Sequence, residues 1–402
     1  PNDDRPAAPA RRHRAGAAGL ARPAARAVWC GARRPTPPAP AAVRRPRLPQ
    51  CRPAAACAAV LVSAHVSACA LAPRGAPAAG PAGTLVVSNM NDHTVTVLDA
   101  ATGRVHATLP TGQGPHEVAV SHDGRLALVS NYGVRGAPGN TLTVIDVPGA
   151  AVARTLSLGR YQRPHGLAFL PGDTLAAVTA EAQRLVLVVD VRDGRVVDTL
   201  PTGGRGSHMV AVSAAGDRLF TANIPDGTVS ALARGGAPHA AARLLPVARL
   251  PEGIAVTPDG ARVWVGSNRD SVVLVLDAAS GAPVDTLRGF GLPYRVAVTP
   301  DGRLAVVTDP ARAEVRVFGA ADRRPRFTVR VPADSLVATA EVPGSPSPEG
   351  VAVSRDGRWA FVTLQGRNRV ATVDLARGVI TAYAPTGTWS DGVGWSPRRV
   401  AR

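Results

Sequence analysis

One sentence is written seven times in this chain. "PHEVAVSHDGRLALVSN" at 115–131 returns as "PHGLAFLPGDTLAAVTA" (164–180), "SHMVAVSAAGDRLFTAN" (207–223) and "PEGIAVTPDGARVWVGS" (251–267). It continues as "PYRVAVTPDGRLAVVTD" (293–309) and "PEGVAVSRDGRWAFVTL" (348–364), and a shortened copy, "SDGVGWSP", stands at 390–397. The second residue of each unit falls at 116, 165, 208, 252, 294, 349 and 391, a spacing of 42 to 55 residues. Repeats of that length mean a stack or ring of small structural units, because one such unit cannot bury its own apolar face.

Each unit reads as four antiparallel strands. "VAVS" is a short apolar strand, "PDGR" a tight turn in which glycine supplies positive φ, and "LALVS" the return strand. "TLTVID" (141–146) is a third strand, and "RTLSL" (154–158) a fourth that precedes the next unit. Four strands in about 42 residues is the signature of a propeller blade.

The last copy stops after its first strand. Its missing three stand at the start of the repeats, as "TLVVSN" (84–89), "TVTVLDA" (94–100) and "VHATLP" (105–110). Joining the two ends completes a blade and hides the strand edges that an open ring would expose. The expectation is therefore an all-β, seven-bladed β-propeller of four-stranded antiparallel blades over 84–402, one blade closed by both termini.

These segments resemble the YVTN repeat, in which V-A-V-S-P-D-G leads into a Tyr-Val-Thr-Asn tetrapeptide. That position here reads "VVSN", "LVSN", "AVTA", "FTAN", "WVGS", "VVTD" and "FVTL". The chain looks like a YncE-like or lactonase-like propeller over about residues 84–397. The resemblance implies that the first strand of each blade is innermost. Members of that superfamily bind, scaffold or catalyse, so the fold alone assigns no reaction.

The repeats differ most in one word. The residue before each first strand is His116, His165, His208, Glu252, Tyr294, Glu349 and Asp391 in turn. With the first strand innermost, these seven ring one mouth of the central channel. Asn89, Asn131, Asn223, Ser267 and Asp309 end the return strands near the same ring, with Ala180 and Leu364 as its silent members. The insertion "NYGVRGAPGN" (131–140) and the stretch after Asp309 are expected to wall the mouth. Three imidazoles on adjacent blades, His116, His165 and His208, facing carboxylates, suit a divalent metal such as zinc or copper. The same groups suit acid–base pairs. The spacing is no recognised metal motif, and a wet polar mouth is the simplest reading. Asp99, Asp146, Asp190, Asp277 and Asp374 end third strands and read as turn caps.

Charge divides the chain. The 402 residues carry a formal +17, but residues 1–80 hold 13 of the 46 arginines and only 2 of the 29 acids. All four cysteines lie there too. Residues 1–42 read as a disordered or non-native leader, and 43–72 as a signal peptide: basic, then apolar, then "VSAC". "VSAC" resembles a lipobox whose Cys69 receives lipid, with "ALA" (70–72) as an alternative cleavage site. Residues 73–83 read as a flexible tether. Beyond them no arginine cluster is interleaved with aromatics, so nucleic acid is not an expected partner.

The sequence thus points to an exported propeller, periplasmic or at the cell surface, held by a lipid anchor or else secreted in soluble form. It is expected to be monomeric, to touch the membrane only through that anchor, and to bind a small molecule, metal or partner protein at the channel mouth. The alternative is a metal-dependent lyase or lactonase-like enzyme using the same ring.

Overall fold

The computed structural model describes residues 80–401 except 236–238 and 338–340. The expected leader, signal peptide, Cys69 and most of the tether lie outside the described residues.

The repeat makes seven four-stranded antiparallel sheets. The second blade runs from Pro115–Val120 to Ala151–Ser157, and the third from Pro164–Phe169 to Val196–Pro201. The fourth runs from Ser207–Val212 to Arg243–Pro246, and the fifth from Pro251–Val256 to Pro283–Leu287. The sixth runs from Val296–Val298 to Pro325–Arg330, and the seventh from Pro348–Val353 to Val379–Pro385. The first is composite, ordered Ser390–Ser396, Thr84–Asn89, Thr94–Asp99, Val105–Pro110. Its seam pairs Val87 with Val393 and Asn89 with Ser390. The first strand of every blade touches the first strands of its two neighbours, and the seventh meets the first. The ring is closed and its terminal edges are paired.

The turn chemistry of the repeat is visible in most of the first hairpins. In "TPDGR" the Thr299 hydroxyl donates to Asp301 at 2.6 Å, and Asp301 accepts from the Arg303 backbone N–H at 3.0 Å. Gly302 supplies φ 70°, which a side chain would resist. The third-strand aspartates act as caps: Asp99 accepts from Ala101 and Thr102, and Asp277 from Ala279 and Ser280.

The apolar core is distributed between blades. Leu128, Val144, Val178 and Leu187 fill the gap between the second and third blades. Leu85, Val87, Phe361 and Val370 fill that between the seventh and first. Seven such clusters close the circle. Hydroxyls from return strands lock several blades to the next: Thr179 donates to the His208 carbonyl at 2.7 Å, Thr308 to that of Glu349 at 2.7 Å, and Thr363 to that of Asp391 at 2.6 Å. With valine and leucine spent between blades, the axis is left to polar side chains.

Candidate functional site at the channel mouth

The seven variable residues lie inside or beside their strands rather than ahead of them, which corrects the expectation from sequence. Pro115 pairs with Asn131, but the register shifts before Val118, and the same irregularity recurs in the first, third, fourth, fifth and seventh blades. His116, His165, His208, Glu252, Glu349 and Asp391 occupy these bulges. A bulge releases a residue from the ladder and re-aims its side chain. In the sixth blade the strand begins only at Val296, and Tyr294 is tied to Thr308 by a 2.9 Å backbone hydrogen bond.

The three imidazoles converge as a stack. Ring centroids of His116 and His165 are 4.7 Å apart, and those of His165 and His208 are 3.6 Å apart with planes tilted 32°. Lone pairs lie in the ring plane, so stacked rings do not aim them at one point. His208 is also committed at both nitrogens, Nδ1 to Glu181 and Nε2 to Glu252 at 2.7 Å. Burial opposes its charge, but Glu252 and Glu181 overcome that and lift its pKa to about 10. A protonated imidazole has no lone pair for a metal. Among the described residues no group of three or more His, Cys, Asp or Glu is arranged to hold a metal ion. The zinc or copper expectation for His116, His165 and His208 does not fit this geometry.

A chain of ion pairs crosses the channel. Arg295 Nη1 stands 2.7 Å from Glu252 Oε1, and its Nη2 stands 2.5 Å from Glu117 Oε1. Burial would raise the Glu252 carboxyl, but His208 and Arg295 hold it down at about 2. His165, buried between two other imidazoles, is driven well below the usual range by burial and then by its neighbours His208 and His116. Its Nδ1 has no hydrogen-bond partner among the described residues.

On the far side the mouth is acidic. Glu349 is buried, accepting from Ser347 at 2.8 Å and from Gln365 at 2.7 Å. Burial, then Asp391 and Glu341, raises its carboxyl well above the ordinary value. Glu341 is raised by burial and then by Glu252 and Asp391, and it accepts from the Tyr294 hydroxyl at 3.2 Å. Asp391 Oδ2 lies 2.9 Å from His116 Nδ1, while its Oδ1 has no partner among the described residues.

The asparagines expected at the mouth are used within the scaffold. Asn131 donates to Thr141 at 2.9 Å and Thr143 at 3.0 Å, and Asn223 to Thr228 at 3.0 Å and Ser230 at 2.7 Å. Asn89 donates to Thr94 and Thr96 and accepts from the Gly387 N–H at 2.9 Å. Asp309 accepts from the Gly291 and Leu292 N–H groups, both at 2.8 Å. All four are buried, and these bonds tie their side chains to the scaffold.

Several site residues escaped the sequence reading. Glu181 and Gln365 follow Ala180 and Leu364, the two members taken as silent. Glu181 accepts from the Tyr132 hydroxyl at 2.6 Å besides meeting His208. Glu117 and Arg295 follow ring residues at a position that is glycine in four repeats, 166, 253, 350 and 392. There the absent Cβ admits the neighbouring strand, as Tyr294 and Arg295 backbone approach Gly253. A charged residue in a glycine register was the available signal.

The expected insertion extends its hairpin: strands Leu126–Val134 and Ala137–Asp146 rise above the ring. Below it opens a cavity of about 540 Å3, lined by Met90, Asn91, His93, Gly114, His116, Tyr132–Arg135, Arg163 and Trp389. The His116 and Tyr132 rings meet edge-on at 4.9 Å. The stretch after Asp309 also reaches the mouth, through Glu341.

A family model for the choice-of-anchor I domain matches residues 233–392. No curated protein matches the chain. Among solved structures it is similar to hydrazine synthase of Kuenenia stuttgartiensis, 18% identical with TM-score 0.60, covering 73% of this chain and 93% of that one. It is also similar to a functionally unknown protein from Desulfotomaculum acetoxidans, 14% identical with TM-score 0.65, covering 78% and 99%. A third likeness is to dihydro-heme d1 dehydrogenase NirN in complex with DHE, 20% identical with TM-score 0.53, covering 79% and 75%. At these identities the likeness is one of fold, and the fold is a seven-bladed β-propeller.

Proposed function

We propose that this propeller is a binding protein that takes a small molecule at the channel mouth. The observation that carries the reading is the cavity of about 540 Å3, of a size typical for small-molecule sites, with aromatic walls and a few polar groups. Two of its lining side chains are held in place, His116 by buried Asp391 at 2.9 Å and Tyr132 by Glu181 at 2.6 Å. Preorganisation of this kind lowers the entropy lost on binding. The YVTN-type repeat and the anchor named in the matching family model support an exported, surface-associated protein. No described helix is long and apolar enough to cross a membrane. Lipid attachment at Cys69 belongs to the same reading and is checked by fatty-acid labelling of the protein and its Cys69→Ala variant.

The direct test is a thermal-shift screen of small molecules against the protein and a Val134→Trp variant. Val134 is exposed and lines the cavity, so tryptophan there obstructs the mouth without touching a core. Compounds that raise the melting temperature of the parent and leave the variant unmoved support the reading. Equal shifts in both place binding elsewhere.

A second reading, acid–base catalysis, rests on one contact. Buried Asp391 orients His116 at 2.9 Å, and His116 lines the cavity. An imidazole held by a carboxylate is half of a general-base pair. Turnover of a lactone or ester panel that disappears in His116→Asn, with the melting temperature retained, would establish this reading over simple binding.

A further inference from the structure

Charge is distributed unevenly around the mouth cavity. Arg135 and Arg163 stand in its wall with His93 and His116, and no carboxylate does. Three carboxylates adjoining the lining residues are already engaged, Glu181 by the Tyr132 hydroxyl and His208, Asp391 by His116, and Asp92 by the Thr388 backbone N–H at 2.6 Å. Elsewhere on the same face, arginines are neutralised by aspartates: Arg205 by Asp226 at 2.6 Å and Arg249 by Asp270 at 2.5 Å. Arg135, which is exposed, and Arg163 have no such carboxylate partner among the described residues. The Arg163 guanidinium instead lies 4.8 Å from the Tyr132 ring centroid.

The walls are also flat. Tyr132, Trp389, His93 and His116 are four of its lining residues, and the Tyr132 and His116 rings stand edge-on to one another at 4.9 Å. A guanidinium laid on an aromatic face keeps its edge donors available for a carboxylate or phosphate. Rings on several sides favour a ligand that is itself planar.

We propose that the cavity binds a flat organic anion, its ring among Tyr132, Trp389 and His116 and its anionic group between Arg135 and Arg163. The proposal rests on the mouth being a small-molecule site and names the chemistry of what enters.

Three probes of one shape and different charge test this by calorimetry: naphthalene-2-carboxylate, 2-naphthamide and 2-naphthylmethylammonium. The carboxylate is expected to bind about tenfold or more tighter than the amide, as hydrogen bonds to charged groups warrant. The ammonium should bind more weakly than the amide. Arg135→Gln and Arg163→Gln should each cost about tenfold for the carboxylate and leave the amide unchanged. Arg269→Gln, outside the cavity, should change neither. Melting temperatures of the variants separate misfolding from lost contacts. Equal affinity for carboxylate and amide, or arginine variants indistinguishable from the parent, overturns the anion claim and leaves the mouth site standing. Failure of all three probes to bind overturns both.

Discussion

Arg295 on the sixth blade reaches Glu117 on the second, Nη2 to Oε1 at 2.5 Å, and so ties opposite sides of the ring through the channel. The same guanidinium holds Glu252, and burial of the three groups makes each depend on the others. Arg295→Met should leave Glu117 without a counter-charge and Glu252 with His208 alone, and cost about 3–5 kcal/mol. Urea unfolding measures it. A loss under about 1 kcal/mol would mean that water already neutralises these groups.

His208 gives the fold a pH dependence of definite sign. Its pKa rises from 6.5 to about 10, so its contribution is complete below pH 6.5 and lost as pH climbs through about 10. Glu252 falls from 4.5 to about 2, so its contribution is present above pH 4.5 and lost as pH falls through about 2. The melting-temperature gap between parent and His208→Gln should be widest between about pH 4.5 and 6.5 and narrow by pH 10. A gap that does not vary with pH would show that His208 is neutral in the fold.

The composite blade predicts that the C-terminal strand is required. Removing residues 390–402 takes away the innermost strand of the first blade and exposes Leu85 and Val87. Loss of a cooperative melt and aggregation are expected. A truncated protein that melts like the parent would contradict the closed ring.

The buried asparagines predict stability effects without binding effects. Asn131→Ala leaves Thr141 and Thr143 without their partner and should cost about 1–3 kcal/mol. Affinity for naphthalene-2-carboxylate should stay within about twofold once folded protein is measured. Lost binding in a fully folded variant would return Asn131 to the site.

The fold was legible because seven approximate copies average out the noise of any one. "PDGR" marks a turn wherever it occurs, and a missing strand set at one end was matched by a spare set at the other. The ring of variable residues was legible for the same reason, since a repeat shows function where it departs from itself. The partners were not. Glu117 meets Arg295 across a separation of 178 residues, a pairing set by ring closure and not by local pattern. Asn131 looked like a mouth residue because the sequence gives its strand position and not the Thr143 hydroxyl waiting beside it. His116, His165 and His208 were correctly gathered, but whether gathered imidazoles ligate or stack depends on ring planes that spacing does not encode.

The position of a bound small molecule decides between the mouth and the rest of the surface. The direct measurement is a crystal structure of the protein soaked with naphthalene-2-carboxylate. Density among Tyr132, Trp389 and His116, with the carboxylate between Arg135 and Arg163, is the predicted result. A larger groove of about 850 Å3 lies on the opposite face, lined by Leu304, Arg326, Arg358 and Leu375. Density there with an empty mouth would contradict the account.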